Sequence, residues 1–148
     1  MRAPIACAQP MPAQILDGRS LADDHLARIR AEVDARLAQG RRAPALAVVL
    51  VGDDPASAVY VRNKRIAAQR AGIRALDFDL PADVAAQELF ELIDRLNDDP
   101  AIDGILVQLP LPEHIDTAVL IQRIAPDKDV DGFHAQNMGR LVLRQPGL

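Results

Sequence analysis

Seven residues, Ala45-Leu46-Ala47-Val48-Val49-Leu50-Val51, form an unbroken apolar run between Pro44 and Gly52. A strand with no polar side has no face to give to water, so it belongs inside a sheet covered on both faces. Ile102 to Leu109 reads as a second such strand, stopped by Pro110 and Pro112, and Ile73 to Leu80 as a weaker third ending at Pro81. Helical patterns separate them. Ser20 with Asp23 reads as a capped start, followed by Leu21, Ile29, Val33 and Leu37 at roughly helical spacing and closed by Gly40. A second helix is expected over about Ser57–Ala71, closed by Gly72. A third is capped by Asp83 and carries Leu89, Leu92, Ile93 and Leu96 on its apolar side. Asp116 caps a fourth through about Ile124; the loop Pro126–Phe133 and a short helical turn near Gln136–Leu141 follow. This alternation predicts an α/β fold of three layers, α/β/α. Its sheet is mostly parallel, with right-handed crossovers and helices on both faces. In such sheets ligands bind beyond the carboxyl ends of the strands, which here means after Val51 and after Val107.

The 148 residues suit one domain, expected over 13–148, preceded by a disordered tail at 1–12 that holds three prolines and no periodic pattern. Ile5–Ala8 is too short for the apolar segment of a secretory signal, and Met11 suggests a downstream start. A hydrophobic content of 49% allows a real core. The net charge of −4, without any Lys/Arg run, offers no field for nucleic acid, and no apolar run is long enough to span a bilayer. Cys7 is the single cysteine, which excludes an intrachain disulfide and suits a reducing, cytoplasmic setting.

Tyr60-x-x-x-Lys64 sets a phenol and an amine on one face of the second helix. Alone, this pair fits a solvated helix face equally well. Short-chain dehydrogenases use the same spacing, but they need a glycine-rich dinucleotide loop after their first strand. Here that position holds Gly52-Asp53-Asp54-Pro55-Ala56, whose acids repel a pyrophosphate and whose proline lacks an amide donor. Gln108, at the end of an apolar strand, must satisfy its amide, either on neighbouring backbone or by orienting the Lys64 amine. Leu109, Pro110 and the residues after them make a stiff rim suited to a flat ligand. Asp127-Lys128-Asp129-Val130-Asp131-Gly132 opens like a calcium loop, yet its twelfth position is Met138 instead of a bidentate acid. It reads either as an acidic surface turn or as a carboxylate facing paired N–H donors. His25 and His114 have no Cys or His partner at metal spacing, and His134 is close enough to the acidic loop to line a site.

Taken together, the segments resemble one family. Asp17-Gly18, Ala47-Val48-Val49-Leu50-Val51-Gly52 and Pro55-Ala56-Ser57-x-x-Tyr60-x-x-x-Lys64 are similar to the bifunctional methylenetetrahydrofolate dehydrogenase/methenyltetrahydrofolate cyclohydrolases. So are Asp103-Gly104-Ile105-Leu106-Val107-Gln108-Leu109-Pro110-Leu111-Pro112, Pro126-x-Lys128-Asp129-Val130-Asp131-Gly132-Phe133-His134 and Asn137-x-Gly139-Arg140-Leu141. The resemblance runs from about residue 14 to the end. Any one of these motifs is weak; their order makes the likeness specific.

The resemblance implies that Lys64 is the catalytic lysine, Gln108 its partner, Tyr60 the residue packing on the folate rings and Asp131 the pterin-binding aspartate, with Leu109 and Pro110 in the substrate wall. A lysine in a dry or cationic site can serve as a proton shuttle, and a carboxylate accepting two N–H bonds gains about 1.5–3 kcal/mol per bond. Tyr stacking adds about 0.5–1.5 kcal/mol beyond burial. The resemblance further implies tetrahydrofolate derivatives as substrates, NADP as cofactor, a homodimer, and a place in one-carbon metabolism that feeds purine synthesis. Family members continue into a NAD(P)-binding Rossmann domain, which these residues do not include, so hydride transfer by this chain alone is not expected. A different class stays open: a non-catalytic folate-binding or assembly module derived from the family.

Overall fold

The computed structural model describes residues 15–53 and 55–147, so the expected tail at 1–12, with Cys7 and Met11, lies outside the described residues. The elements run α1 (Gly18–Ala38), β1 (Ala45–Val51), α2 (Pro55–Arg70), β2 (Arg74–Leu80), α3 (Ala86–Asp98), β3 (Gly104–Val107), α4 (Thr117–Arg123) and α5 (Ala135–Val142). The three strands make one parallel sheet in the order β2-β1-β3. The Val-rich run is therefore its central strand, paired Ala45↔Arg74 through Val51↔Leu80 on one side and Leu46↔Gly104 through Val49↔Val107 on the other.

Alternate residues of β1 face opposite ways, and both sets are covered. Ala45, Ala47, Val49 and Val51 pack with Ile105 and Val107 against α3 and α4. On the other face Val48 and Leu106 meet Val61 of α2. The layers are thus α/β/α, as the alternation implied. Leu89, Leu92, Ile93 and Leu96 of α3 are all buried, worth about 6–12 kcal/mol of gross apolar transfer together.

Several local expectations need correction. The first helix is capped by Asp17, whose carboxylate accepts from the Arg19 and Ser20 amides, three residues before the expected cap. Of its four periodic residues only Val33 is buried; Leu21, Ile29 and Leu37 are exposed, because α1 touches the body along a narrow seam against α2. Gly72 makes that seam possible: its φ is +77°, and a Cβ there would sit 3.1 Å from Val33 Cγ1. Asp83 does not cap α3, which starts after Ala85 without a side-chain cap. Asp116 does cap α4, accepting from the Ala118 and Val119 amides. β3 is four residues long instead of eight: its ladder with β1 closes at Val107, and the Gln108 amide adds one last bond to the Val49 carbonyl.

The loop after α4 closes the outer side of β3. Ile105 N donates to the Lys128 carbonyl at 2.7 Å, and Ile105 and Asp129 form a parallel bridge. Gly104 is where this segment comes nearest, since a Cβ there would lie 2.5 Å from Val130 Cγ1. Among the described residues no helix is long and apolar enough to cross a membrane.

Candidate active site

The carboxyl ends of β1 and β3 present the residues singled out above. α2 follows β1 and carries Tyr60 and Lys64 one turn apart; Gln108 directly follows β3. Lys64 Nζ stands 3.4 Å from Gln108 Oε1, a long hydrogen bond. At the other end of the same amide, Gln108 Nε2 donates to the Leu109 carbonyl at 2.6 Å. The two contacts agree on the amide's orientation, because an ammonium needs the oxygen and a carbonyl needs the nitrogen. The Gln108 amide is thus satisfied on backbone and also in contact with the Lys64 amine. The Leu109–Pro110 peptide is cis, and Pro110 stands exposed beside it.

Asp131 stands on the turn between Asp129 and Gly132, which closes with the Gly132 amide donating to the Asp129 carbonyl at 3.2 Å. The residue as a whole is exposed, but its carboxyl group is crowded, and desolvation raises its pKa above the ordinary carboxylate range. The Lys64 charge opposes that shift and Asp129 adds to it. Lys64, which touches Gln108, is therefore also within coulombic reach of Asp131. Leu109 and Asp131 line the same narrow cleft with Ile105, Leu120 and Phe133. Tyr60 stands one turn before Lys64 with its side of the helix open, 63% exposed.

The surroundings of Asp131 were not legible as functional. Asp129 is buried, and its Oδ2 accepts from His134 N at 2.8 Å and Asn137 Nδ2 at 3.1 Å. His134, considered above as a site-lining residue, instead caps α5, its Nδ1 accepting from the Gln136 amide. Lys128 turns away from the site, and its ammonium donates to the carbonyls of Leu96, Asn97 and Asp99 at the end of α3. Lys128, Asp129 and Asn137 all stand inside recognisable motifs. The available signal was a polar residue at the fourth position from a helix cap, which spacing alone does not connect to a loop carboxylate.

The described residues hold no cluster of His, Cys, Asp or Glu fit for a metal ion. A dinucleotide does not fit either: beyond β1 stand Gly52 and an exposed Asp53, with Pro55 opening α2 and giving no amide donor.

A profile described as "Tetrahydrofolate dehydrogenase/cyclohydrolase, catalytic domain" matches residues 16–131. This chain belongs to that family. Among solved structures, a 5,10-methylenetetrahydrofolate dehydrogenase from the silkworm Bombyx mori is 43% identical with a TM-score of 0.89, covering 92% of this chain and 47% of its own. The bifunctional methylenetetrahydrofolate dehydrogenase/cyclohydrolase from Campylobacter jejuni is 40% identical, with a TM-score of 0.86, over 89% of this chain and 47% of its own. The Trypanosoma brucei dehydrogenase-cyclohydrolase, solved with NADP cofactor and inhibitor, is 38% identical, with a TM-score of 0.84, over 90% of this chain and 46% of its own. The chain thus spans about half the length of these relatives. Its tetrahydrofolate dehydrogenase/cyclohydrolase catalytic domain is the α/β/α unit described above, with the Lys64–Gln108 pair and Asp131 at one end of the sheet.

Proposed function

We propose that residues 13–148 form the folate-binding half of an enzyme of one-carbon metabolism that oxidises 5,10-methylenetetrahydrofolate and hydrolyses 5,10-methenyltetrahydrofolate to 10-formyltetrahydrofolate. The observation that carries this reading is the Lys64–Gln108 contact within electrostatic reach of Asp131. Asp131 offers two acceptor oxygens to the paired N–H donors of a pterin edge. Tyr60, already open to solvent, offers an aromatic face to stack on the ligand's rings, and Leu109 and Pro110, next to Gln108, supply apolar wall.

In the hydrolysis, water adds to the methenyl carbon and gives one proton to the Lys64 amine as general base. Gln108 Oε1 holds the amine's direction. The carbon–N5 bond then breaks, Lys64 returns its proton to N5, and the hydroxyl proton leaves to solvent as the formyl group forms. NADP is the oxidant for the other reaction in the whole protein, held by residues other than those of the β1–α2 turn. A homodimer, a cytoplasmic setting and supply of formyl groups for purine synthesis complete the proposal.

The test is the decay of 5,10-methenyltetrahydrofolate absorbance with the parent chain and with Lys64→Met. The expected result is a loss of about 100-fold or more, in the range of a general-base contribution. An unchanged rate in the variant would remove Lys64 from the mechanism. Saturable folate binding without any turnover by the parent chain would favour the non-catalytic module.

A further inference from the structure

The Asp131 carboxylate takes part in no hydrogen bond among the described residues, so its place is set by the turn that carries it. What holds the turn is a buried pair below it. Asn137, 8% exposed, donates from Nδ2 to the Pro126 carbonyl at 2.8 Å and to Asp129 Oδ2 at 3.1 Å. Asp129, 2% exposed, also takes the His134 amide at 2.8 Å and closes the turn through its carbonyl on Gly132. One side chain on α5 therefore ties the start of the loop, the bridge beside β3 and the helix together, with Asp131 two residues from the knot.

We infer that Asn137 is a positioning residue for the folate: through Asp129 it fixes the turn on which the Asp131 carboxylate meets the substrate. The inference rests on the reading of Asp131 as the pterin contact. A purely stabilising role explains the pair poorly. Both neighbours of Asn137 Nδ2 are acceptors, which fixes the amide's orientation and leaves Oδ1 buried without a donor among the described residues. Apolar residues of matched shape at such sites are often neutral or stabilising by comparison. What the pair supplies and an apolar pair lacks is directionality: two bonds from one nitrogen admit few loop conformations.

The experiment is a calorimetric titration of the chain with 5-formyltetrahydrofolate, using Asp131→Ala, Asn137→Ala and the double variant, each checked for folding by circular dichroism. Asp131→Ala is expected to weaken binding at least about 10-fold, the loss of a hydrogen bond to a charged group. Asn137→Ala is expected to weaken it about 5-fold or more, and the double variant to bind within about 3-fold of Asp131→Ala alone, because the two losses are one loss. A merely structural effect would multiply the two. Multiplicative losses, or wild-type affinity in a folded Asn137→Ala, overturn the inference while leaving the folate site standing. Wild-type affinity in Asp131→Ala, or no saturable binding by the parent chain, overturns the folate reading itself. If Asn137→Ala does not fold, Asp129→Asn replaces it in the same cycle and is judged by the same coupling.

Discussion

Replacing Lys128 by Met keeps the length of the side chain and removes its charge. The ammonium gives hydrogen bonds to the carbonyls of Leu96, Asn97 and Asp99 at 3.0, 2.7 and 2.8 Å. Leu96 and Asn97 carry two of the last carbonyls of α3, which have no partner within the helix and lie at its negative end, while the Asp99 carbonyl just past the helix also accepts from the Ile102 amide. A hydrogen bond to a charged group contributes about 1.5–3 kcal/mol, but here one charge serves three acceptors, and water can reach some of them after substitution. The net loss is therefore set nearer one or two bonds than three, at about 2–4 kcal/mol. For a domain of this size each kcal/mol moves the midpoint by about 3–5 °C, so Lys128→Met should melt roughly 10 °C lower. Thermal melts and urea titrations followed by far-ultraviolet circular dichroism measure both quantities. The difference should persist at about 0.5 M salt, since a half-buried ammonium bonded directly to its acceptors is weakly screened. A midpoint within about 3 °C of the parent chain, or a difference that disappears in salt, would refute the capping argument.

Three further perturbations test other parts of the structure. Leu89→Ala, in the fully buried face of α3, should cost about 2–5 kcal/mol in a urea titration; a loss under about 1 kcal/mol would mean that the layer packs more loosely than described. Arg42 grips Asp103 with two guanidinium nitrogens and holds that carboxyl below the ordinary range, so the pair stabilises the fold above ordinary carboxylate pKa values and loses this as pH falls. Arg42→Ala should accordingly lower the melting midpoint at neutral pH and approach the parent chain in acid, and equal midpoints at neutral pH would contradict it. Asp131 has the opposite sign: the folded chain binds its proton more tightly than the unfolded chain, so stability declines as pH rises from the ordinary carboxylate range through the raised value. Asp131→Asn should raise the neutral-pH midpoint and lose that advantage in acid, while weakening folate binding; a lower midpoint at neutral pH would show that the carboxylate stabilises the apo chain.

The central strand was legible to the residue because Pro44 and Gly52 bracket a run that has one physical solution. The buried side of α3 was equally plain, since Leu89, Leu92, Ile93 and Leu96 leave the remaining face charged. α1 was not, because a helical period shows where a stripe lies but not what covers it, and its seam against α2 buries Val33 while leaving the other three exposed. The caps went astray for a related reason: Asp17, Ser20 and Asp83 are all competent acceptors, and backbone geometry chooses among them. The candidate site divides the same way. Tyr60, Lys64, Gln108 and Asp131 stand in motifs that are weak singly and that the sequence singles out only by their order. Lys128 reaching a helix end 29 to 32 residues back, and Asn137 reaching across the loop, are contacts between elements that no local pattern encodes.

The bridge between Ile105 and Asp129 also has a bearing on how these molecules behave in a crowd. By occupying the outer side of β3 it leaves β2 as the free sheet edge among the described residues. Unpaired strand edges invite a neighbouring chain to add itself as the next strand. β2 answers with Asp77 and Asp79, two carboxylates on one face, straddled by the single cation of Arg65. A second copy approaching with the same edge would bring four carboxylates against two guanidinium groups. Repulsion of like by like thus guards the border of the described sheet that the loop does not cover, and neutralising both acids should turn that edge into a template for fibrous pairing.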